Sequence, residues 1–384
     1  MATDFSSIPI LDYSLVSDPK RRPEFISQLQ NALINVGFLY LANPPVARED
    51  IEAVIQYAPK LFDIPQNAKE DIRMVKSPHF FGYSRFGAEL TKGSVDQREQ
   101  YDFGTPYESI WQPGDPEFLK LWGPAQWPDE SLVPGFKQAF LRYLSQVEKL
   151  SHEFTALLAE ALNLPSDGLT PFFDQGEGKG LQHRAKVVKY PVPEDDTSNQ
   201  GVGPHFDGGF LTFVRRIQST LERKLFTPLP LQLLQASPHR GLQVQNLAGD
   251  WIDAPPIPNT FVINIGKALE TVTQGLAKAT SHRVLSPEKG STPRYSIPFF
   301  QNISQTVSIG DSVLKLSPEV LKLKEGRIEG NTDSVNFSEY AKLPSGQVTL
   351  IGRVKSHPDV AERHYPDLFK QYFPEGLPAQ GFAY

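Results

Sequence analysis

Apolar positions recur at helical spacing in three stretches of the first half of the chain. Ile26, Leu29, Leu33 and Val36 form one stripe behind Ser17-Asp18-Pro19, which reads as a helix entry, and Gly37 suits its stop. Ile51, Val54, Ile55, Ala58 and Phe62 form a second. The longest spans 135–163, where Phe136, Phe140, Val147, Leu150, Phe154, Leu157 and Leu158 share one broad face and Asn163-Leu164-Pro165 ends the helix. Residues 77–127 are rich in Gly, Pro and aromatics with little periodicity, and read as an ordered wrap over a sheet. From Ala185 onward the pattern changes to short β-type runs at 186–190, 210–213, 242–245, 260–265, 283–285 and 295–300, separated by turn residues. Strands of that number and length predict a sandwich or barrel. Residues after Val307 mix one helix with loops and suggest no catalytic task.

Two polar pairs stand out against this frame. His205 and Asp207 are two apart, so on an extended backbone both side chains leave one face of the sheet. His282, from another strand, would complete a 2-His-1-carboxylate face of the kind that binds ferrous iron and leaves open positions. Arg294 and Ser296 are a second i, i+2 pair, a guanidinium beside a hydroxyl, suited to gripping a carboxylate. Other motifs are blander. His152-Glu153 lacks the second histidine of a zinc protease motif, and Gly176-Glu177-Gly178-Lys179-Gly180 lacks the hydroxyl residue of a phosphate loop. Lys20-Arg21-Arg22, beside Asp18 and Glu24, reads as a solvated helix start.

The order H-x-D, H-R-V, R-x-S resembles the iron(II)/2-oxoglutarate-dependent dioxygenases, in the group that includes isopenicillin N synthase and the plant-type oxygenases; a fungal member is expected. The likeness covers nearly the whole chain. Ile8-Pro9-Ile10-Leu11-Asp12, Gly37-Phe38-Leu39-Tyr40-Leu41, Leu61-Phe62-Asp63-Ile64-Pro65 with Lys69, Asp96-Gln97-Arg98-Glu99, Lys189-Tyr190-Pro191, Gly241-Leu242-Gln243-Val244 and Phe261-Val262-Ile263-Asn264-Ile265-Gly266 each resemble a family segment. The resemblance implies a mainly β fold with flanking helices: a double-stranded β-helix, or jelly roll, with an N-terminal helical region. It implies an N-terminal oxygenase-type region at 1–130 packed on a catalytic core and C-terminal extension at 131–384, forming one compact unit. It also implies Fe(II) on His205, Asp207 and His282, and 2-oxoglutarate held by Arg294, Ser296 and Tyr190. Oxygen and 2-oxoglutarate would be consumed, succinate and CO2 released, and a small organic substrate oxidised, with ascorbate a candidate reductant. Phe206, Phe210, Tyr101, Phe103 and Phe299 are expected to line an apolar substrate pocket in a secondary-metabolic enzyme. Lys267 departs from the family, which usually has an acid there, and should change only local polarity.

Composition narrows the classes. With 38 basic against 44 acidic residues, a net charge of −6, the chain lacks the footprint of a nucleic-acid binder. Cysteine is absent, which excludes disulfides and thiolate sites. No stretch approaches a membrane span and the first residues lack a signal pattern, so a cytoplasmic protein with no membrane association and no obligate protein partner is expected. The sequons at Asn302 and Asn336 should then be idle.

One segment breaks the pattern. After Leu211-Thr212-Phe213 the strand should lead through an apolar turn into Gly241-Leu242-Gln243-Val244, but 214–232 intervenes. Removing those 19 residues joins Phe213 to Leu233-Leu234-Gln235 and restores the hairpin. A translated, unspliced intron is one reading: valine codons begin GT, one glutamine codon ends AG, and 19 codons keep the frame. A basic loop over the site mouth, carrying Arg215, Arg216, Arg223 and Lys224, is the other. Three further functional alternatives stand beside the dioxygenase: an iron oxidase of the same fold that uses no 2-oxoglutarate, a product impaired by the insertion, and a binding module built on a jelly roll.

Overall fold

The computed structural model describes residues 5–91, 94–174, 181–194, 200–217, 241–325 and 342–377. The loop at 176–180, the stretch 218–240 with most of the atypical segment, and the sequon at 336–338 lie outside them. Fourteen strands are described: β1 (Ile10–Asp12), β2 (Phe38–Ala42), β3 (Gly82–Ser84), β4 (Leu90–Thr91), β5 (Ser94–Val95), β6 (Glu99–Gly104), β7 (Arg184–Tyr190), β8 (Gln200–His205), β9 (Leu211–Ile217), β10 (Leu242–Gln245), β11 (Trp251–Asp253), β12 (Thr260–Ile265), β13 (His282–Leu285) and β14 (Arg294–Gln301). The helices are α1 (Arg22–Asn35), α2 (Arg48–Phe62), α3 (Gln66–Asp71), α4 (Phe136–Ala161), α5 (Lys267–Val272), α6 (Pro318–Leu321), α7 (Ser345–Ser356), α8 (Pro358–His364) and α9 (Pro366–Tyr372).

Eight strands form one sheet in the order β1-β2-β12-β9-β14-β7-β6-β3, and four form a second, β11-β10-β13-β8. The two sheets make the jelly roll expected from the sequence. The central strands of the large sheet are buried on both faces, and the register sorts their residues between them. Phe38, Tyr40, Val188, Tyr190 and Val262 turn toward the small sheet, where they meet Val202, Leu242, Val244 and Val284. Tyr101, Phe103, Val187, Phe213, Ile263, Ile297 and Phe299 turn the other way and pack against the apolar stripes of α1, α2 and α4. The three helical stripes of the sequence therefore cover the back of the large sheet, and the jelly-roll interior is left for the small one.

Two expectations change. Residues 77–127 do not merely wrap the sheet: β3 and β6 extend its edge, with Tyr101 opposite Val187 and Phe103 opposite Ala185. The alternation Gln100-Tyr101-Asp102-Phe103, polar on one face and aromatic on the other, is the strand signal hidden in that aromatic-rich stretch. The C-terminal helices are also more than a tail. Leu350 and Val354 of α7 pack with Trp122, Phe80 and Tyr365, which brings α7 over the open end of the jelly roll. No helix among the described residues is long and apolar enough to cross a membrane.

Candidate metal and cosubstrate site

His205 and His282 are direct partners across the antiparallel β8–β13 pair, with ring centroids 4.2 Å apart. Asp207 lies just beyond the end of β8. Its Oδ1 is 3.8 Å from Nε2 of His205 and its Oδ2 is 3.9 Å from Nε2 of His282. One ligand atom from each of the three residues lies within 4.8 Å of the others. Asp207 is braced from the neighbouring strands: Oδ2 accepts hydrogen bonds from Thr212 Oγ1 at 2.6 Å and Asn264 Nδ2 at 2.7 Å. Its carbonyl accepts from Lys267 N–H at 2.8 Å. That close passage needs Gly266, where a Cβ would sit 2.0 Å from the carbonyl oxygen of Gly209.

The histidine tautomers suit a metal. Nδ1 of His205 lies 2.8 Å from the Gly203 carbonyl and Nδ1 of His282 lies 3.3 Å from the Thr280 carbonyl. A carbonyl only accepts, so each Nδ1 carries the hydrogen and each Nε2 turns a lone pair toward Asp207. Burial pushes both imidazoles down, His282 to about 4, with His205 beside it adding to the effect. Burial alone would raise the Asp207 carboxyl, but His282, His205 and its two hydrogen bonds hold it below its ordinary value. Two neutral nitrogens and one carboxylate are the donor set of a non-haem ferrous site.

A second group of possible ligands, Glu148, His152 and His183, lies behind the sheet. Its chemistry is opposite. His183 Nδ1 accepts the Asn302 N–H at 3.0 Å, so its hydrogen sits on Nε2, 3.4 Å from His152 Nε2 and 3.7 Å from Glu148. The ring offers that side a donor, not a lone pair, and burial keeps it neutral with its pKa near 3. This is a hydrogen-bonded knot that runs from the buried His183 to the exposed His152.

Arg294 and Ser296 share the inner face of β14, opposite Tyr190 and Val188 of β7. The guanidinium lies 4.8 Å over the Tyr190 ring, and its Nη1 is buried with no hydrogen-bond partner. Burial lowers its pKa, with Tyr190 opposing. A buried guanidinium nitrogen without an acceptor fits an anionic ligand, and the carboxylate of a dicarboxylic cosubstrate meets that need.

Comparison with known proteins agrees with this geometry. Residues 8–130 match the N-terminal family described for a non-haem dioxygenase in morphine synthesis, and residues 228–303 match the 2OG-Fe(II) oxygenase superfamily. The chain is 40% identical over 390 residues to the 2-oxoglutarate-dependent dioxygenase frbJ of Dothideomycetidae sp. strain 11243, covering 97% of both chains. It belongs to the 2OG-Fe(II) oxygenase superfamily. A 2-oxoglutarate-dependent dioxygenase of Gibberella zeae is 34% identical over 96% of this chain and 94% of that one. The structure of a full-length Neurospora crassa protein in complex with alpha-KG and 5-formyluracil superposes with a TM-score of 0.62 at 25% identity, covering 82% of this chain and 88% of that one.

The chain is thus an Fe(II)- and 2-oxoglutarate-dependent dioxygenase that uses O2. When bound, iron with 2-oxoglutarate and O2 supplies the oxidising power, converting the cosubstrate to succinate and CO2 as a small organic molecule is oxidised. The protein supplies position and shelter. A cavity of about 550 Å³ opens beside His205 and Asp207, between the mouth of the jelly roll and α7. Of the five aromatic residues expected to line it, Phe206 does so, with Lys267 Nζ 5.0 Å over its ring. Lys267 also pairs with Glu270, so this departure from the family is neutralised within α5.

The other four aromatic residues need correction. Tyr101, Phe103 and Phe299 point to the helical face, and Phe210 packs on Phe172 and Phe173. All four are core: the three strand residues have the opposite parity to Arg294 and Ser296, and Phe210, just before β9, is enclosed by Phe172 and Phe173. The cavity wall is instead mixed, with the charged Glu89, Arg98, Lys186 and Arg353 set among apolar residues such as Leu121, Trp122 and Ile351. Sequence reasoning took Glu89 and Arg98 only as part of a family-like segment and gave none of the four a place in the cavity, and it missed Thr212 and Asn264 behind Asp207. Ser345, Thr349 and Arg353, spaced by four along α7, gave a polar stripe that could have been read.

Proposed function

We propose that Nε2 of His205, Nε2 of His282 and the Asp207 carboxylate bind Fe(II), and that Arg294 and Ser296, with Tyr190 beside them, hold the distal carboxylate of 2-oxoglutarate. The substrate is a small molecule of secondary metabolism, oxidised in the cytoplasm without nucleic acid, membrane or obligate protein partner. The likeness of the N-terminal region to an enzyme of morphine synthesis supports the metabolic setting. The observation that carries the site assignment is the pair of Nδ1–H donors that leaves both histidine lone pairs facing Asp207. Succinate release from 2-oxoglutarate with Fe(II) under air tests it, alongside an oxygen-free Fe(II) titration. His282→Ala should lose both iron binding and succinate; full iron affinity in that variant would sink the assignment.

Residues 214–232 are, in this reading, absent from the native protein. Val214 to Ile217 occupy β9, with Arg215 facing the helices and Arg216 facing the jelly-roll interior opposite Ser296. Arg215 Nη1 donates to the Thr260 carbonyl, but its Nε is buried without a partner, as is the hydroxyl of Tyr143 on α4 nearby. Arg216 donates to the carbonyls of Ala254 and Pro255, and burial lowers it to about 10. Two half-buried arginines in consecutive strand positions fit poorly. Deletion would put Leu234 in place of Arg215 and Gln235 in place of Arg216, and the superfamily match itself opens at residue 228, inside the atypical segment. A spliced transcript retaining all 19 codons would refute the intron reading.

A further inference from the structure

The charged wall of the cavity has no place in the iron and 2-oxoglutarate sites, and it is not electrically balanced. Four cations, Arg98, Arg184, Lys186 and Arg353, stand around three carboxylates, Glu89, Asp96 and Asp102. Three of the cations are committed. Arg98 bonds Glu89 at 2.7 Å and Asp96 at 3.0 Å. Lys186 reaches Glu89 at 3.2 Å. Arg184 donates to the carbonyls of His79, Phe80 and Leu121. Nearby His357 adds no charge, since burial lowers it to about 4.

Arg353 differs from these three. Among the described residues its guanidinium makes no hydrogen bond; its ion pair is with Asp102, at 3.7 Å, beyond hydrogen-bonding distance. It lines the cavity that also exposes His205 and Asp207, and it stands one turn beyond Thr349 on α7. Near the C-terminal end of the helix a cation is also favoured by the backbone carbonyls. Around Asp102 the hydrogen bonding is incomplete: its Oδ1, the Nε of Arg98, the Oε1 of Gln100 and the Nε2 of His357 are buried without a hydrogen-bond partner, and Asp102 Oδ1 meets Lys186 and Arg353 only at 3.5 and 3.7 Å. A cavity with one surplus, loosely paired guanidinium is built for an anion.

We propose that Arg353 is a specificity-determining residue that pairs with a carboxylate of the substrate, so that this dioxygenase oxidises a carboxylic acid held between α7 and the metal. The inference rests on the metal assignment above only for what lies at the other end of the cavity.

The test is calorimetric binding to protein saturated with Fe(II) and 2-oxoglutarate under nitrogen, so that the Arg294 site is filled and nothing turns over. The probes are three matched pairs: hexanoate with hexanamide, phenylacetate with phenylacetamide, and N-acetyl-leucine with its amide. In at least one pair the acid should bind about tenfold or more tighter than the amide, the range for a hydrogen bond to a charged group. Arg353→Gln should abolish that preference and Arg353→Lys should restore part of it. Equal binding of acid and amide in every pair overturns the proposal without any variant being needed. A preference unchanged in Arg353→Gln also overturns it and leaves Arg353 as a structural partner of Asp102. Dialysis of Fe(II) and 2-oxoglutarate is measured first on the same protein. Failure to load them sinks the metal and cosubstrate assignment, while the acid-over-amide comparison still reads Arg353.

Discussion

His205 and His282 face each other across β8 and β13, and each points Nδ1 at the carbonyl two residues before it, Gly203 and Thr280. The antiparallel pairing thus sets the position of both rings and their protonation at once. A strand backbone supplies the acceptors, so no side chain is needed to orient the histidines. Asp207, beyond the strand end, lacks that support and takes it from Thr212 and Asn264.

Removal of those two braces should therefore weaken the metal without touching a ligand. Thr212→Val and Asn264→Ala, each tested singly, are expected to lower Fe(II) affinity by about 10–100-fold. An oxygen-free Fe(II) titration followed by equilibrium dialysis measures it. Unchanged affinity in both variants would mean that Asp207 is held by its main-chain contacts alone.

Arg294 should act on the cosubstrate and not on the metal. With its Nη1 buried and unpartnered, loss of the guanidinium removes a charged pair from a closed site. Arg294→Leu is expected to lose about 2–5 kcal/mol of 2-oxoglutarate binding. The half-saturating 2-oxoglutarate concentration in the succinate assay should rise accordingly, while Fe(II) affinity stays level. A parallel fall in iron affinity would show a disturbed fold instead.

Much of this architecture could be read from the residues, for physical reasons that also mark the limits. Iron accepts few donor types, so His205, Asp207 and His282 were visible as a set although the second histidine lies far along the chain. Short β-type runs bounded by turn residues gave β10 and β12 with their bounds. The face each aromatic takes was not legible. Tyr101 and Phe103 point to the helices because β6 pairs with β7 in one register, and a slip of one residue would turn them inward. Thr212 and Asn264 look like any polar strand residue until the fold brings Asp207 against them. Arg353 matters only because Leu350 and Val354 dock α7 over the cavity, a long-range packing event that no local pattern encodes.

Arg215 offers a stability test of the atypical segment. It faces α4 in a core built from Phe213, Ile297 and Phe299, with its Nε unpartnered. Replacing a poorly paired buried ion by an apolar residue is neutral to stabilising by about 1–4 kcal/mol. Arg215→Leu should raise the denaturation midpoint, and deletion of 214–232 should raise it further. A drop for both would favour a native loop whose arginines belong to the fold.

His183 sets a pH dependence of stability that is separable from the metal. Burial holds its folded pKa near 3, with the facing His152 adding to the effect, against about 6.5 in the unfolded chain. Between those values the unfolded state binds the extra proton, so stability increases with pH across the window. The contribution is complete above about pH 6.5 and is lost progressively as the pH falls toward 3, at up to about 1.4 kcal/mol per pH unit. His183→Asn keeps an oxygen where Nδ1 accepts the Asn302 N–H but cannot take up a proton. Urea denaturation of the metal-free protein at several pH values should show a shallower acid loss in this variant than in the parent. Equal slopes would mean that His183 already carries its proton in the folded state, and with it the reading of the Glu148, His152 and His183 group as a neutral hydrogen-bonded knot would fail.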